Sequence, residues 1–171
     1  MQRGFVMPVT ISHRGTSIEV DGNLPVVGSQ APDFKLTAND LSEITLADYA
    51  GKNLILNIFP SIDTPTCAQS TRQFNEELAS LENTEVLCVS ADLPFAQSRF
   101  CGAEGLERVQ TGSTFKSSFA TDYGVQILSG KLEALTTRAV VVIGPEGVVK
   151  HVELVPEIGQ EPDYQAALAA L

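Results

Sequence analysis

Three cysteines, Cys67, Cys88 and Cys101, are the side chains of this 171-residue chain best suited to covalent chemistry. Cys67 closes the stretch FPSIDTPTC, residues 59–67, where an apolar run has ended and a helix is about to begin. Pro65 suits the first turn of that helix, because the amides there have no intrahelical partner and a fixed φ costs nothing. Those free donors and the positive end of the helix dipole favour an anion, so a thiol placed there is expected to ionise more readily than in water. Ionisation multiplies the thiolate present at neutral pH by about 30 at most. Part of that gain is returned, since nucleophilicity falls with basicity. The larger contribution must come from groups that stabilise charge developing on a substrate. Thr64, three residues before Cys67, has a hydroxyl that can donate and accept, and a guanidinium nearby would supply fixed positive charge.

The other candidates divide by setting. Cys88, inside VLCVS, is expected to fill the core as a small hydrophobe. Cys101 ends a short helix and precedes GAEG, a place that can move, and its role stays open on these grounds alone. Arg138 opens a run of valines, an unusual site for a charge, which suits a functional cation and a solvated strand end equally. Arg72 and Arg99 lie near the two outer cysteines in sequence and read as solvated helix faces. His13 and His151 fall in strand-like hairpins, expected at the surface, and make no metal-ligand pattern with the cysteines. VIGPEG has the glycines of a turn and no helix to complete a phosphate or dinucleotide site.

The elements that must hold these residues follow from periodicity. VTISHRGTSIEV (9–20) alternates around Arg14-Gly15 as an N-terminal β-hairpin. VGSQAPDFKLTAND reads as loop and short strand, and SEITLADYAGK as a brief helical turn closed by Gly51. NLILNIF (53–59) is a nearly continuous apolar run, as in a strand buried on both faces of a sheet. Residues 66–83 carry Phe74, Leu78 and Leu81 at helical spacing. A second buried strand spans 85–92. A short helix over 93–105 has Asp92 as its cap, Pro94 in its first turn and Gly102 after its end. Further elements are a helix over 114–124, a hairpin of 138–144 with 148–155, and a final helix over 163–171. The order implies an α/β fold, a mixed central sheet flanked by helices, in one domain over 1–171.

Composition narrows the partners. A net charge of −10 argues against nucleic acid or an anionic membrane surface. No apolar stretch approaches the roughly 18 residues of a membrane span, and MQRGFVMPVTISHRG lacks the apolar core of a cleaved leader. A cytoplasmic protein is expected. Three widely spaced cysteines do not make a secreted disulfide scaffold, so any disulfide would be transient and catalytic.

FPSIDTPTC contains Pro60-x-x-x-Thr64-x-x-Cys67, the active-site pattern of the peroxiredoxins. With SADLPFAQSRFCGAEG (90–105) and RAVVVIG (138–144), the chain resembles their bacterial thiol peroxidase subfamily, the atypical two-cysteine kind, over almost its whole length. The resemblance implies a thioredoxin-like fold, no cofactor or metal, and a peroxidatic Cys67 that attacks the terminal oxygen of a hydroperoxide and becomes a sulfenic acid. It implies that Cys101 resolves that acid within the same subunit as a disulfide, which thioredoxin reduces. Pro60 would shield the thiolate, Thr64 would hydrogen-bond to it and to the peroxide, and Arg138 would be the cation beside both. It further implies a homodimer, with hydrogen peroxide and alkyl or lipid hydroperoxides as substrates. Phe59, Ile62, Leu93 and Phe95, near the motif, suit small or bulky substrates equally.

A disulfide needs Cα atoms within about 7 Å, yet these cysteines stand 34 positions apart on separate helices. The first turn of the Cys67 helix and the segment around Cys101 are therefore expected to rearrange between dithiol and disulfide. Two rivals remain. A thiol–disulfide oxidoreductase would carry C-x-x-C at the helix start, where this chain has Thr64. A non-catalytic binding module would leave all three thiols inert.

Overall fold

A computed structural model of the protein describes residues 8–171; the opening MQRGFVM, read above as lacking a leader, lies outside them. The strands β1 (Val9–His13) and β2 (Thr16–Val20) form the expected antiparallel hairpin. Its tight turn is set by Arg14 and Gly15, both at positive φ (52° and 81°), the combination that matches the twist of paired strands.

The main sheet has seven strands: β3 (Lys35–Thr37), β4 (Glu43–Thr45), β5 (Asn53–Ile58), β6 (Thr84–Ser90), β7 (Gln110–Ser113), β8 (Ala139–Ile143) and β9 (Val149–Leu154). Their spatial order is β4-β3-β7-β6-β5-β8-β9. β5, β6 and β7 run parallel, and the flanking pairs are antiparallel. The mixed sheet expected from the element order is present.

Period-two alternation explains the apolar runs. Leu54, Leu56, Ile58, Ala139, Val141 and Ile143 feed one core layer with Phe34, Phe119 and Tyr123. Ile55, Phe59, Val86, Cys88, Val140 and Val142 feed the opposite layer. There they meet α1 (Pro65–Glu77) and α4 (Tyr164–Ala169), and α2 (Pro94–Glu104) lies on β7. Full burial of one such aliphatic side chain is worth about 1.5–3 kcal/mol.

Several expected boundaries move. α1 stops at Glu77 and tightens into a 3-10 turn over Leu78–Ser80 rather than running to 83. The 114–124 helix shrinks to α3 (Phe119–Asp122). SEITLADYAGK begins as β4 before its 3-10 turn, Leu46–Tyr49. α2 continues through Gly102 and ends at Gly105, whose φ of 65° supplies the left-handed cap. β7 had no apolar signal: it is QTGS, inserted between β3 and β6. Gly112 is small there for a reason, since a Cβ would sit 3.1 Å from Leu36 Cδ1. Among the described residues no helix is long and apolar enough to cross a membrane.

Candidate active site

Thr64 is the N-cap of α1, extended at φ −91°, ψ 147°, and Pro65 takes the first helical position. Cys67 is thus the third residue of the helix, inside the turn whose amides lack intrahelical acceptors. Its side chain points into the core layer with Ile55, Phe59, Ile62 and Phe74 and is 0% exposed. Two hydroxyls grip its backbone: Ser70 Oγ and Thr71 Oγ1 each donate to the Cys67 carbonyl at 2.9 Å. Asn57 Nδ2 donates in turn to Ser70 Oγ at 3.2 Å.

Arg138 comes from the entry to β8, the strand beside β5 in the same sheet. It precedes β8 with the parity of Val140 and Val142, so alternation aims it at the Cys67 layer. Its Nη2 stands 3.2 Å from Cys67 Sγ, and its Nε donates to the Ile158 carbonyl at 2.7 Å. The residue is 1% exposed, and Nη1 has no partner among the described residues. A buried guanidinium with a free donor costs several kcal/mol. Spent next to sulfur, that donor is available to an oxygen atom brought there.

The remaining motif residues are arranged differently. Thr64 is exposed, and its hydroxyl donates to the Ser61 carbonyl at 3.0 Å rather than to the sulfur. Its proton is committed, leaving its lone pairs to accept. Pro60 is buried directly after Phe59. Phe59 and Ile62 line the sulfur's layer, whereas Leu93 and Phe95 are 52% and 65% exposed and do not. An open cleft lined by Pro65, Thr66, Ala68, Arg72, Gly159 and Glu161 lies beside the first turn of α1.

Cys101 is half-buried within α2, and no cysteine is bridged. Burial raises the Cys101 thiol pKa, against a hydrogen bond with Thr111 that lowers it. Cys88 is the core residue expected: burial pushes its thiol up to about 12, opposed by hydrogen bonds from Asn57 and Thr71. Arg72 and Arg99 are not bare solvated faces. Arg72 makes a two-pronged pair with Glu104 (2.9 and 3.0 Å), and Arg99 pairs with Asp63 at 3.1 Å, so both tie α2 to the Cys67 segment. His13 and His151 are half-buried rather than at the surface.

Asp92 does not cap α2. The N-cap is Leu93, without a side-chain bond, because the Asp92 carboxylate turns toward residues 61 and 62. Sequence reasoning missed this, along with Asn57, Ser70, Thr71 and Ile158. A polar residue with the parity of a buried strand, as Asn57 has, was the signal available.

Residues 26–168 match the family described as Redoxin. The chain is 57% identical over 161 residues to proteins named thiol peroxidase from Mycobacterium tuberculosis and Mycobacterium bovis, covering 94% of this chain and 97% of theirs. A solved peroxiredoxin-like protein from Aquifex aeolicus superposes with a TM-score of 0.88 at 36% identity, covering 94% of this chain and 95% of that one. A thiol peroxidase from Chromobacterium violaceum shares the fold at a TM-score of 0.87 and 20% identity, covering 94% of each chain. With the thiol set against its guanidinium on a thioredoxin-like sheet, these matches place the chain in the redoxin family, among its thiol peroxidases.

Proposed function

We propose that the protein reduces hydroperoxides by a two-cysteine cycle. The Cys67 thiolate attacks the terminal oxygen of ROOH; the O–O bond breaks, its electron pair leaves with RO⁻, and a proton converts that to ROH. Sulfur is oxidised to Cys67–SOH. The Cys101 thiolate then attacks the Cys67 sulfur, an S–S bond forms, and hydroxide departs as water. A protein dithiol, thioredoxin, returns both cysteines to thiols by exchange.

The observation that carries this reading is the 3.2 Å approach of Arg138 Nη2 to Cys67 Sγ, with Nη1 of the same guanidinium unpaired. One cation there stabilises the thiolate before reaction and the oxygens during it. Thr64, its proton held by Ser61, is left to accept the peroxide O–H. Pro60 excludes water. Since the sulfur is enclosed, peroxide entry requires a small opening of the first turn of α1.

The cycle is read in a cytoplasmic homodimer of single-domain subunits using hydrogen peroxide and alkyl or lipid hydroperoxides. Hydroperoxide consumption with a thioredoxin system tests it: Cys67→Ser should abolish turnover, and unchanged turnover would remove Cys67 from the chemistry. Cys101→Ser should keep the first oxidation and lose thioredoxin-supported turnover.

A further inference from the structure

We propose that Asp92 is a positioning residue for the reaction at Cys67, holding the Ser61–Thr64 segment in the shape that oxidation requires. The inference rests on the roles just proposed for Cys67 and Cys101 and deepens them.

One carboxylate gathers three donors. Asp92 Oδ1 accepts from the Ser61 hydroxyl at 2.7 Å, and Oδ2 accepts from the Ile62 amide at 2.7 Å and the Ser90 hydroxyl at 2.6 Å. Hydrogen bonds to an ionised acceptor are roughly twice as strong as neutral ones. Ser61 passes the constraint on: its carbonyl accepts both the Thr64 amide (3.2 Å) and the Thr64 hydroxyl (3.0 Å). Thr64 is the residue from which α1 starts, three positions before the sulfur. The path runs from Asp92 through Ser61 and Thr64 to Cys67.

The carboxylate is itself anchored from the opposite side. Its Ser90 partner accepts from Gln97 Nε2 at 3.1 Å, and Gln97 is buried on α2 and also bonds the Gly112 carbonyl at 3.2 Å. The Ser113 hydroxyl donates to the Asp92 carbonyl. Asp92 therefore stands on the sheet and, through Ser90 and Gln97, on the helix that carries Cys101, while two of its three donors belong to the segment leading to Cys67. A group that holds this segment in its reacting shape also opposes the unwinding that the disulfide requires. Losing it should slow oxidation without slowing resolution, whereas a residue that merely glued the turn would, when lost, lower stability and affect both steps alike.

Rapid-quench mass spectrometry of the reduced protein mixed with hydrogen peroxide reads both steps, as trapped Cys67 sulfenic acid and as disulfide. Asp92→Ala should oxidise Cys67 roughly 10- to 100-fold more slowly, the scale of a displacement of about 1 Å, with disulfide formation from the sulfenic acid unchanged or faster. Asp92→Asn keeps the shape but replaces one acceptor oxygen with an amide NH2 that faces a donor, so its oxidation should slow by at least about 3-fold with the same split; it serves if the alanine variant does not fold. Wild-type oxidation in both variants, or an equal slowing of the two steps, overturns the inference. Wild-type protein left unoxidised at Cys67 would instead overturn the reading beneath it, and this inference with it.

Discussion

Cys67 and Cys88 face the same core layer, and both are fully enclosed. What separates them is the partner. Cys88 lies mid-strand in β6, where burial raises its pKa and hydrogen bonds with the Asn57 amide and the Thr71 hydroxyl only partly offset it. Cys67 lies at a helix start with a guanidinium against its sulfur. On the proposed cycle, burial alone does not decide whether a thiol is inert. The sign and distance of the nearest charge decide it there.

The contrast can be broken most severely at Arg138. Arg138→Met keeps much of the bulk and removes the charge, and the rate of Cys67 oxidation by peroxide should fall about 10²- to 10³-fold, the usual cost of a lost charge-stabilising donor. Stopped mixing with peroxide and thiol counting measures it; a change of less than about threefold would make the guanidinium a structural feature only.

Cys88 sharpens the comparison from the other side. Cys88→Ala should leave peroxidase turnover within about twofold while lowering stability by about 1–2 kcal/mol through the void left behind. Its raised pKa adds a pH signature. A thiol held up in the folded state stabilises fully below its unfolded value near 8.5, and that contribution is lost as pH rises toward the folded value. Denaturant melts should thus show the gap between wild type and Cys88→Ala closing and then reversing between about pH 9 and 11, as wild type loses about 1.4 kcal/mol per pH unit. A constant gap would mean that Cys88 is not desolvated.

For Cys101 the same direction of shift acts on rate. With its thiol pKa raised by burial, its thiolate fraction grows about tenfold per pH unit through neutral pH. The sulfenic-acid-to-disulfide step should rise steeply between pH 7 and 8.5, and a flat profile would mean that opening of the helix, not ionisation, limits it. The smallest effect belongs to the exposed pair of Arg99 and Asp63. Arg99→Ala should cost under about 1 kcal/mol, read by thermal melts.

Much of this was legible before any coordinates. The nearly continuous apolar runs announced strands buried on both faces, and the resemblance put Arg138 beside Cys67, where the structure has it. The first turn of α1 was marked by Pro65. Other features left no local trace. β7 is the polar QTGS, and its glycine reflects Leu36 packing where a side chain at 112 would stand. The carboxylate of Asp92 was taken for a helix cap because a sequence shows its neighbours along the chain, not Ser61 and Ile62 across the fold. The Thr64 hydroxyl was expected on the sulfur, and only the turn geometry reveals Ser61 as its acceptor.

The central claim is that charge, not exposure, selects which thiol reacts. One equivalent of hydrogen peroxide added to reduced Cys101→Ser protein, with a sulfenic-acid trap and mass mapping, tests it directly. The trap should be found on Cys67 alone, with Cys88 untouched, and should largely disappear at early times when Arg138→Met is added. Label on Cys88, or equal labelling of Cys67 with and without the guanidinium, would contradict the account.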